Sequence, residues 1–211
     1  MTVPVFDFVG KKKICIICEG YEEKEYLERL KSFGAWQGRY YDVHLVNAKS
    51  ISNIAPRYQE IFMSGSYDLV LVFCDTDCYP YAGYNEMKRK IDAFHGRVGA
   101  ASSVVYYANP CILQIVVMHF ADIKLTSAQK SRNGRIIEDL VGIEHYQAHE
   151  KQREALMNSI SKQNFKDMMG RIKVLSNFDT EINSTNFAKL IRKLNSNSTK
   201  WVDIINKKLF G

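Results

Sequence analysis

No stretch of this chain stays apolar for long enough to cross a bilayer. The longest apolar run, "CILQIVVMHFA" from Cys111 to Ala121, carries Gln114 and His119 and reads as a buried element. The opening residues read against a secretory leader as well. The opening "MTVPVFDFVGKKK" sets its apolar residues ahead of its charges and interrupts them with Asp7, the reverse of an export signal. The five cysteines are odd in number and lie in apolar or acidic surroundings, which argues against the paired framework of a small secreted domain. These absences predict a cytoplasmic protein in a reducing compartment, with no membrane partner. Cys15-x-x-Cys18 with Cys74-x-x-x-Cys78 has a zinc-like spacing, but positions three apart on a strand point to opposite faces, and zinc is set aside. There is no internal repeat, and "NSNST", Asn195 to Thr199, is a short polar connection rather than a domain linker.

What is present is ample core material. A chain of 211 residues with 46% hydrophobic content makes one domain, or one domain with an appendage. Residues 1–149 hold 17 Lys/Arg and 17 Asp/Glu, whereas residues 150–211 hold 12 against 6, so the whole net charge of +6 lies at the C-terminal end. Such an asymmetry has two readings: contact with a polyanion such as nucleic acid, or a solvated helical face.

Apolar runs alternate with helical spacing through the first half. Lys13–Cys18, Tyr40–Ala48, Tyr67–Asp77 and Ser102–Pro110 read as strands, and the segments after the first three as helices. Solid apolar strands alternating with helices predict an α/β fold, a mostly parallel sheet covered on both faces. Beyond Asp122 the strand signals stop. Residues 126–135 read as a polar loop and Ile136–Leu175 as mostly helical. Apolar stripes at Phe187, Leu190, Ile191 and Leu194, and again from Trp201 to Leu209, predict two further helices whose lysines and arginines face outward.

Open parallel sheets carry their sites at the C-terminal ends of the strands. Two such ends are acidic here: Glu19 closes the first strand, and Asp75-Thr76-Asp77 closes the third. While the chain stays extended, Asp75 and Asp77 share a face, and Glu23 comes from the first helical turn towards the same crevice. Each acid alone reads as a cap, a turn former or a partner of the helix dipole. Together they would repel one another unless a hard divalent cation, Mg²⁺ or Mn²⁺, neutralised them. Glu22, Glu25 and Glu28 are assigned to the helix dipole and to solubility.

The stretch "CEGYEEKEYL" resembles the first acidic motif of toprim domains, in the Glu-Gly-x-x-Glu form of the overcoming-lysogenization-defect nucleases, and "VFCDTD" resembles their Asp-x-Asp motif. "ANPCILQIVVMHF", from Ala108 to Phe120, is similar to the Asn-Pro-Cys-(x)-Glu-(x)-His-Phe segment of the RloB-like family, small toprim-related proteins encoded near bacterial restriction and defence loci. The resemblance spans about residues 11–122. It departs from the pattern at Gln114, where the family usually has glutamate, and at Tyr21-Glu22 within the first motif. The resemblance implies a toprim-like (Rossmann-like) core over residues 1–122 and a basic helical region over 123–211 packed on it.

The resemblance also implies phosphodiester chemistry. Asp75 and Asp77 would be the main ligands of Mg²⁺ or Mn²⁺, Glu23 a further ligand, and Glu19 a ligand or general acid/base. His119 either orients a phosphate or the base as a catalytic residue, or is a satisfied core histidine. Asn109-Pro110 either shapes the crevice or simply turns the chain. His145 and His149, four apart on an expected helix, are read as a polar exposed face rather than a metal pair. Lys189, Arg192, Lys193 and Lys200 are the expected nucleic-acid contacts. The leading expectation is a metal-dependent nuclease, a hydrolase of DNA or RNA in antiviral defence. The alternative is a non-catalytic subunit that binds nucleotide or nucleic acid and docks an ATPase or another defence-system subunit. Hydrolysis of a small phosphorylated molecule is a third reading.

Overall fold

The computed structural model describes residues 10–77 and 79–210, without the side chain of Lys130. The N-terminal segment read against an export signal and Cys78 of the zinc-like spacing therefore lie outside the described residues. Four strands form one all-parallel sheet, β1 (Lys12–Cys18), β2 (Tyr41–Asn47), β3 (Leu69–Asp75) and β4 (Val105–Ala108), in the order β2-β1-β3-β4. Helix α1 (Tyr21–Ser32) joins β1 to β2, α2 (Ile51–Met63) joins β2 to β3, and α3 (Ala82–Phe94) with the short α4 (Ala101–Val104) joins β3 to β4. The chain runs outward from β1 to β2, then returns past β1 to β3. Right-handed crossovers put α1 on one face of the sheet and α2 and α3 on the other, and α2 and α3 pack against each other there. The fold is α/β with a Rossmann-like parallel sheet.

The two central strands are buried on both faces, which is why β1 and β3 are written almost wholly in Ile, Val, Leu, Phe and Cys. The cysteines Cys15, Cys18, Cys74 and Cys111 are buried and free. The third strand ends at Asp75, earlier than its apolar run suggests, and the fourth is only four residues long because Ala101–Val104 closes into a helical turn.

After β4 come α5 (Leu113–Val117), α6 (Lys130–Val141), α7 (Glu150–Ser159), α8 (Lys162–Arg171), a 3₁₀ turn at Ile172–Val174, α9 (Phe187–Leu194) and α10 (Lys200–Phe210). The expected loop over 126–135 is thus half helix: α6 begins at Lys130, its first turn polar and its buried Ile137 arriving only later. His145 and His149 are not on a helix. Both lie between α6 and α7, where His145 has φ 48°.

The C-terminal helices share the core of the sheet. Phe187 of α9 packs on Phe73 of β3 and Tyr26 of α1, with ring centroids 5.1 and 5.6 Å apart. Its helix carries the expected stripe, with Phe187, Leu190, Ile191 and Leu194 buried. The outer edge of β4, which would otherwise offer unpaired backbone groups, is covered by Thr185 and Asn186. The Asn186 side chain accepts from Tyr107 N and donates to Val105 O, and Thr185 Oγ1 donates to Tyr107 O. Among the described residues no helix is long and apolar enough to cross a membrane.

Candidate functional site

The order in which the chain adds strands reverses between the parallel neighbours β1 and β3, and at such a switch point the loops leave the sheet ends to opposite sides and open a crevice. A pocket of about 300 Å³ lies there, and Glu19, Glu22, Glu23, Asp75 and Asp77 all line it. Lys49, Arg153 and Cys111 contribute to its walls. The four carboxylates expected from the sequence are therefore brought together, and a fifth joins them.

Glu19, Glu22, Glu23 and Asp75 are each held by a definite partner. Glu19 follows the last residue of β1, where its N–H donates to Phe73 O, and its Oε2 accepts from Asp75 N at 3.1 Å. One strand end is thereby tied to the other. Asp75 Oδ1 accepts from Ile112 N at 2.7 Å. Glu23 turns back so that its Oε2 accepts from Gly20 N at 2.8 Å. That bond caps the start of α1 and gives the Glu-Gly-x-x-Glu spacing a local cause, since a side chain at the third helical position reaches the N-cap N–H. A Cβ at Gly20 would stand 3.2 Å from Glu23 Oε2, so glycine leaves room for the capping carboxylate.

Asp77 differs from its expected placement. The chain leaves the extended conformation after Asp75, and Asp77 has φ 60° and is exposed. Strand alternation therefore does not aim it alongside Asp75, although both border the same pocket. The Asn109-Pro110 segment lies over this turn: Thr76 N donates to Ala108 O, and Asp77 N to Pro110 O. The Asn-Pro-Cys stretch thus both turns the chain and, through its backbone, holds Asp75 to Asp77 at the crevice.

Glu22 is a correction to the sequence reading. It is buried, it lines the pocket, and its Oε1 accepts from the Tyr146 hydroxyl at 2.8 Å. Glu25 is taken up by Arg153, whose Nε and Nη2 donate to both of its carboxylate oxygens. Arg153 also lies 5.1 Å from the centre of the Tyr21 ring. Neither Tyr146 nor Arg153 carried a signal, being 124 and 128 residues from their partners. Lys49 was findable in principle, because it follows the C-terminal end of β2, next to β1 in the sheet.

The electrostatics follow from crowding. The Asp75 carboxyl is pushed well above the usual aspartate range, first by burial and then by the negative charges of Glu23, Glu19, Glu22 and Asp77. Partial burial of its carboxyl raises Asp77, although the residue as a whole lies at the exposed rim. Burial and the Asp75 charge also raise the Cys111 thiol well above its ordinary value, so it is no nucleophile at neutral pH. Hard oxygen donors crowded together suit a divalent cation chemically. Their spacing is looser than that of a preformed cage: among the described residues, no group of three or more His, Cys, Asp or Glu side chains is arranged to hold a metal ion.

The other expected residues lie elsewhere. His119 is buried in the core, where its Nε2 is 2.9 Å from the Tyr26 hydroxyl and its Nδ1 is 3.1 Å from Asn164 Oδ1. Burial lowers its pKa to about 4, so it is neutral and satisfied. It does not border the acidic pocket, and the expected catalytic contact is replaced by a packing role. Gln114 is fully buried, accepting from Leu125 N and donating to Ile123 O. It fixes the chain after α5 and contributes nothing to the pocket wall. Lys189, Arg192, Lys193 and Lys200 lie on α9 and α10 and do not line the acidic pocket. Lys193 is partly buried rather than outward, with its ammonium donating to the Tyr106 hydroxyl at 2.9 Å.

No family model, curated protein or solved structure matches this chain.

Proposed function

We propose that the acidic pocket is the active site of a Mg²⁺- or Mn²⁺-dependent nuclease, hydrolysing phosphodiester bonds of DNA or RNA in a bacterial defence or restriction-associated setting, as the toprim and RloB-like resemblance implies. The observation that carries the reading is the gathering of five carboxylates at the switch point of a parallel sheet, with Asp75 electrostatically strained by the others. Glu19, Glu23 and Asp75, with Asp77 at the rim, would hold the cation, which when bound supplies a polarised phosphate and an acidified water. The chain's own groups keep the carboxylates in position: Ile112 N orients Asp75, Gly20 N orients Glu23, and Asp75 N orients Glu19. Glu19 is the candidate proton carrier. His119 takes no part in the chemistry. Incubation with single- and double-stranded DNA and RNA tests the reading: cutting should require Mg²⁺ or Mn²⁺ and vanish in Asp75→Asn and Glu19→Gln variants that still fold. Undiminished cutting by both variants overturns it.

A second reading draws on the backbone bonds that occupy these carboxylates and on the looser metal geometry. A non-catalytic subunit would use the same crevice to bind nucleotide or nucleic acid, or to dock an ATPase or other defence-system subunit. Calorimetric titration separates the two: such a subunit retains nucleic-acid affinity in Asp75→Asn and shows no turnover in the wild type.

A further inference from the structure

Away from the acidic pocket, two hollows lie side by side along the outer edge of β4. The first, about 170 Å³, is lined by Lys189 and Lys193 of α9, Lys208 of α10, the hydroxyl residues Ser102 and Ser103, and Tyr106 among others, with no carboxylate in its wall. The second, about 260 Å³, is lined in part by Tyr84, Tyr107, Asn177 and Phe178. Ser102, Asn186 and Lys189 belong to both, so the hollows form one groove.

Two features of this groove call for a ligand. The ammonium of Lys193 is depressed by burial and then by the charges of Lys208 and Lys189, which places three like charges within electrostatic reach of one another. An anion in the first hollow relieves that repulsion, and the serine hydroxyls add donors. In the second hollow Phe178 is 70% exposed, a large apolar ring left in water beside polar groups. Tyr107 also contributes to its wall. Lys88 and Asp179 also line the second hollow and neutralise each other, so Lys88 is not counted among the anion contacts.

We propose that this groove binds single-stranded nucleic acid, with a backbone phosphate among Lys189, Lys193 and Lys208 and an unstacked base beside Phe178 and Tyr107. A basic track next to an exposed aromatic ring is how sequence-tolerant single-strand sites are built, and only a single strand offers a base free to enter a hollow. The proposal rests on the reading of the chain as a nucleic-acid-acting protein. It keeps Lys189 and Lys193, adds Lys208 and Phe178, and drops Arg192, whose Nε is bonded to Ala188 O, and Lys200, which borders neither hollow.

Fluorescence anisotropy with labelled 12-nucleotide DNA and RNA strands in EDTA provides the test. Lys189 and Lys208 are exposed, so a Lys189→Glu/Lys208→Glu variant should melt like the wild type. It should bind either strand at least about ten-fold more weakly, with a salt dependence flatter by roughly 0.7 for each phosphate no longer neutralised. Phe178→Ala should weaken binding about five-fold or more while leaving inorganic polyphosphate binding unchanged. The DNA and RNA arms identify which backbone is preferred. Affinity of the double variant within two-fold of wild type, equal competition by duplex, or no binding by the wild type overturns the groove. Groove variants that lose binding in a protein that never cuts overturn the nuclease alone, whereas Asp75-dependent cutting with unaltered binding by the double variant overturns the groove alone.

Discussion

The carboxylate of Glu19 accepts a hydrogen bond from the backbone N–H of Asp75, 3.1 Å away, so a side chain following β1 closes the end of β3. These two residues are 56 positions apart in sequence, and the bond sets the acid pair at the reversal point of the sheet. Whatever binds there meets two strand ends already joined, with Glu22 and Glu23 on the adjoining helical turn.

Crowding at Asp75 has a consequence for stability. Its folded pKa lies above its unfolded value, so stability is greatest below the ordinary aspartate range and is lost as pH rises through the raised folded pKa. At neutral pH Asp75→Asn removes the repulsion while an oxygen still accepts from Ile112 N. The variant should melt at least about 2 °C higher than wild type, the shift that about 1 kcal/mol produces in a chain of this size. Mn²⁺ should raise the melting temperature of the wild type and have much less effect on Asp75→Asn. Calorimetric or fluorescence melts over a pH series with and without Mn²⁺ check both.

His119 acts in the opposite direction. Its folded pKa of about 4 lies below the unfolded value of 6.5, so its contribution is complete above pH 6.5 and is lost as pH falls towards 4. The linked change is of order 3 kcal/mol. Because the raised Asp75 acts with the reverse sign, the informative quantity is the difference between wild type and His119→Gln. That difference should shrink on acidification, and the pH dependence of any cleavage should be the same in both proteins. A cleavage profile that moves with His119 would return it to the chemistry.

Gln114 stands where the resembling family usually has glutamate. A carboxylate there keeps an acceptor for Leu125 N but faces Ile123 O with oxygen instead of a donor. Gln114→Glu should therefore destabilise the fold by roughly 1–3 kcal/mol at pH 7, and by less near pH 5, where protonation restores a donor. Urea unfolding at the two pH values measures it.

Gly134 on α6 lies against the segment that carries Tyr146. A Cβ there would stand 2.8 Å from Tyr146 O, too close for a backbone atom that cannot swing aside. Gly134→Ala should destabilise by about 1–3 kcal/mol through overpacking, despite alanine's better helix propensity. Tyr146→Phe, which leaves Glu22 without that hydroxyl, should cost about 1.5–3 kcal/mol. Either change should shift metal affinity in titrations, since both disturb Glu22 at the pocket wall.

The sheet and the acids at its rim were legible in the sequence because each depends on local rules. Solid apolar runs mark doubly buried strands, Gly20 marks the passage into α1, and Glu19 and Asp75 adjoin the points where those patterns stop. Asp77 was misplaced because period-two reasoning holds only while the chain is extended, and it turns at φ 60°. The polar first turn of α6 concealed a helix whose buried apolar side chain, Ile137, comes later.

By itself the sequence determined an α/β fold with acidic strand ends, since backbone period and burial pattern are properties of neighbouring residues. Only the tertiary structure decided what the long-range polar groups do. Tyr146 and Arg153 each reach across more than a hundred residues to a glutamate of α1, and His119 finds Tyr26 and Asn164 in the core rather than the pocket. A buried polar group takes whichever partner the fold brings within about 3 Å, and that choice is made by packing, not by spacing along the chain.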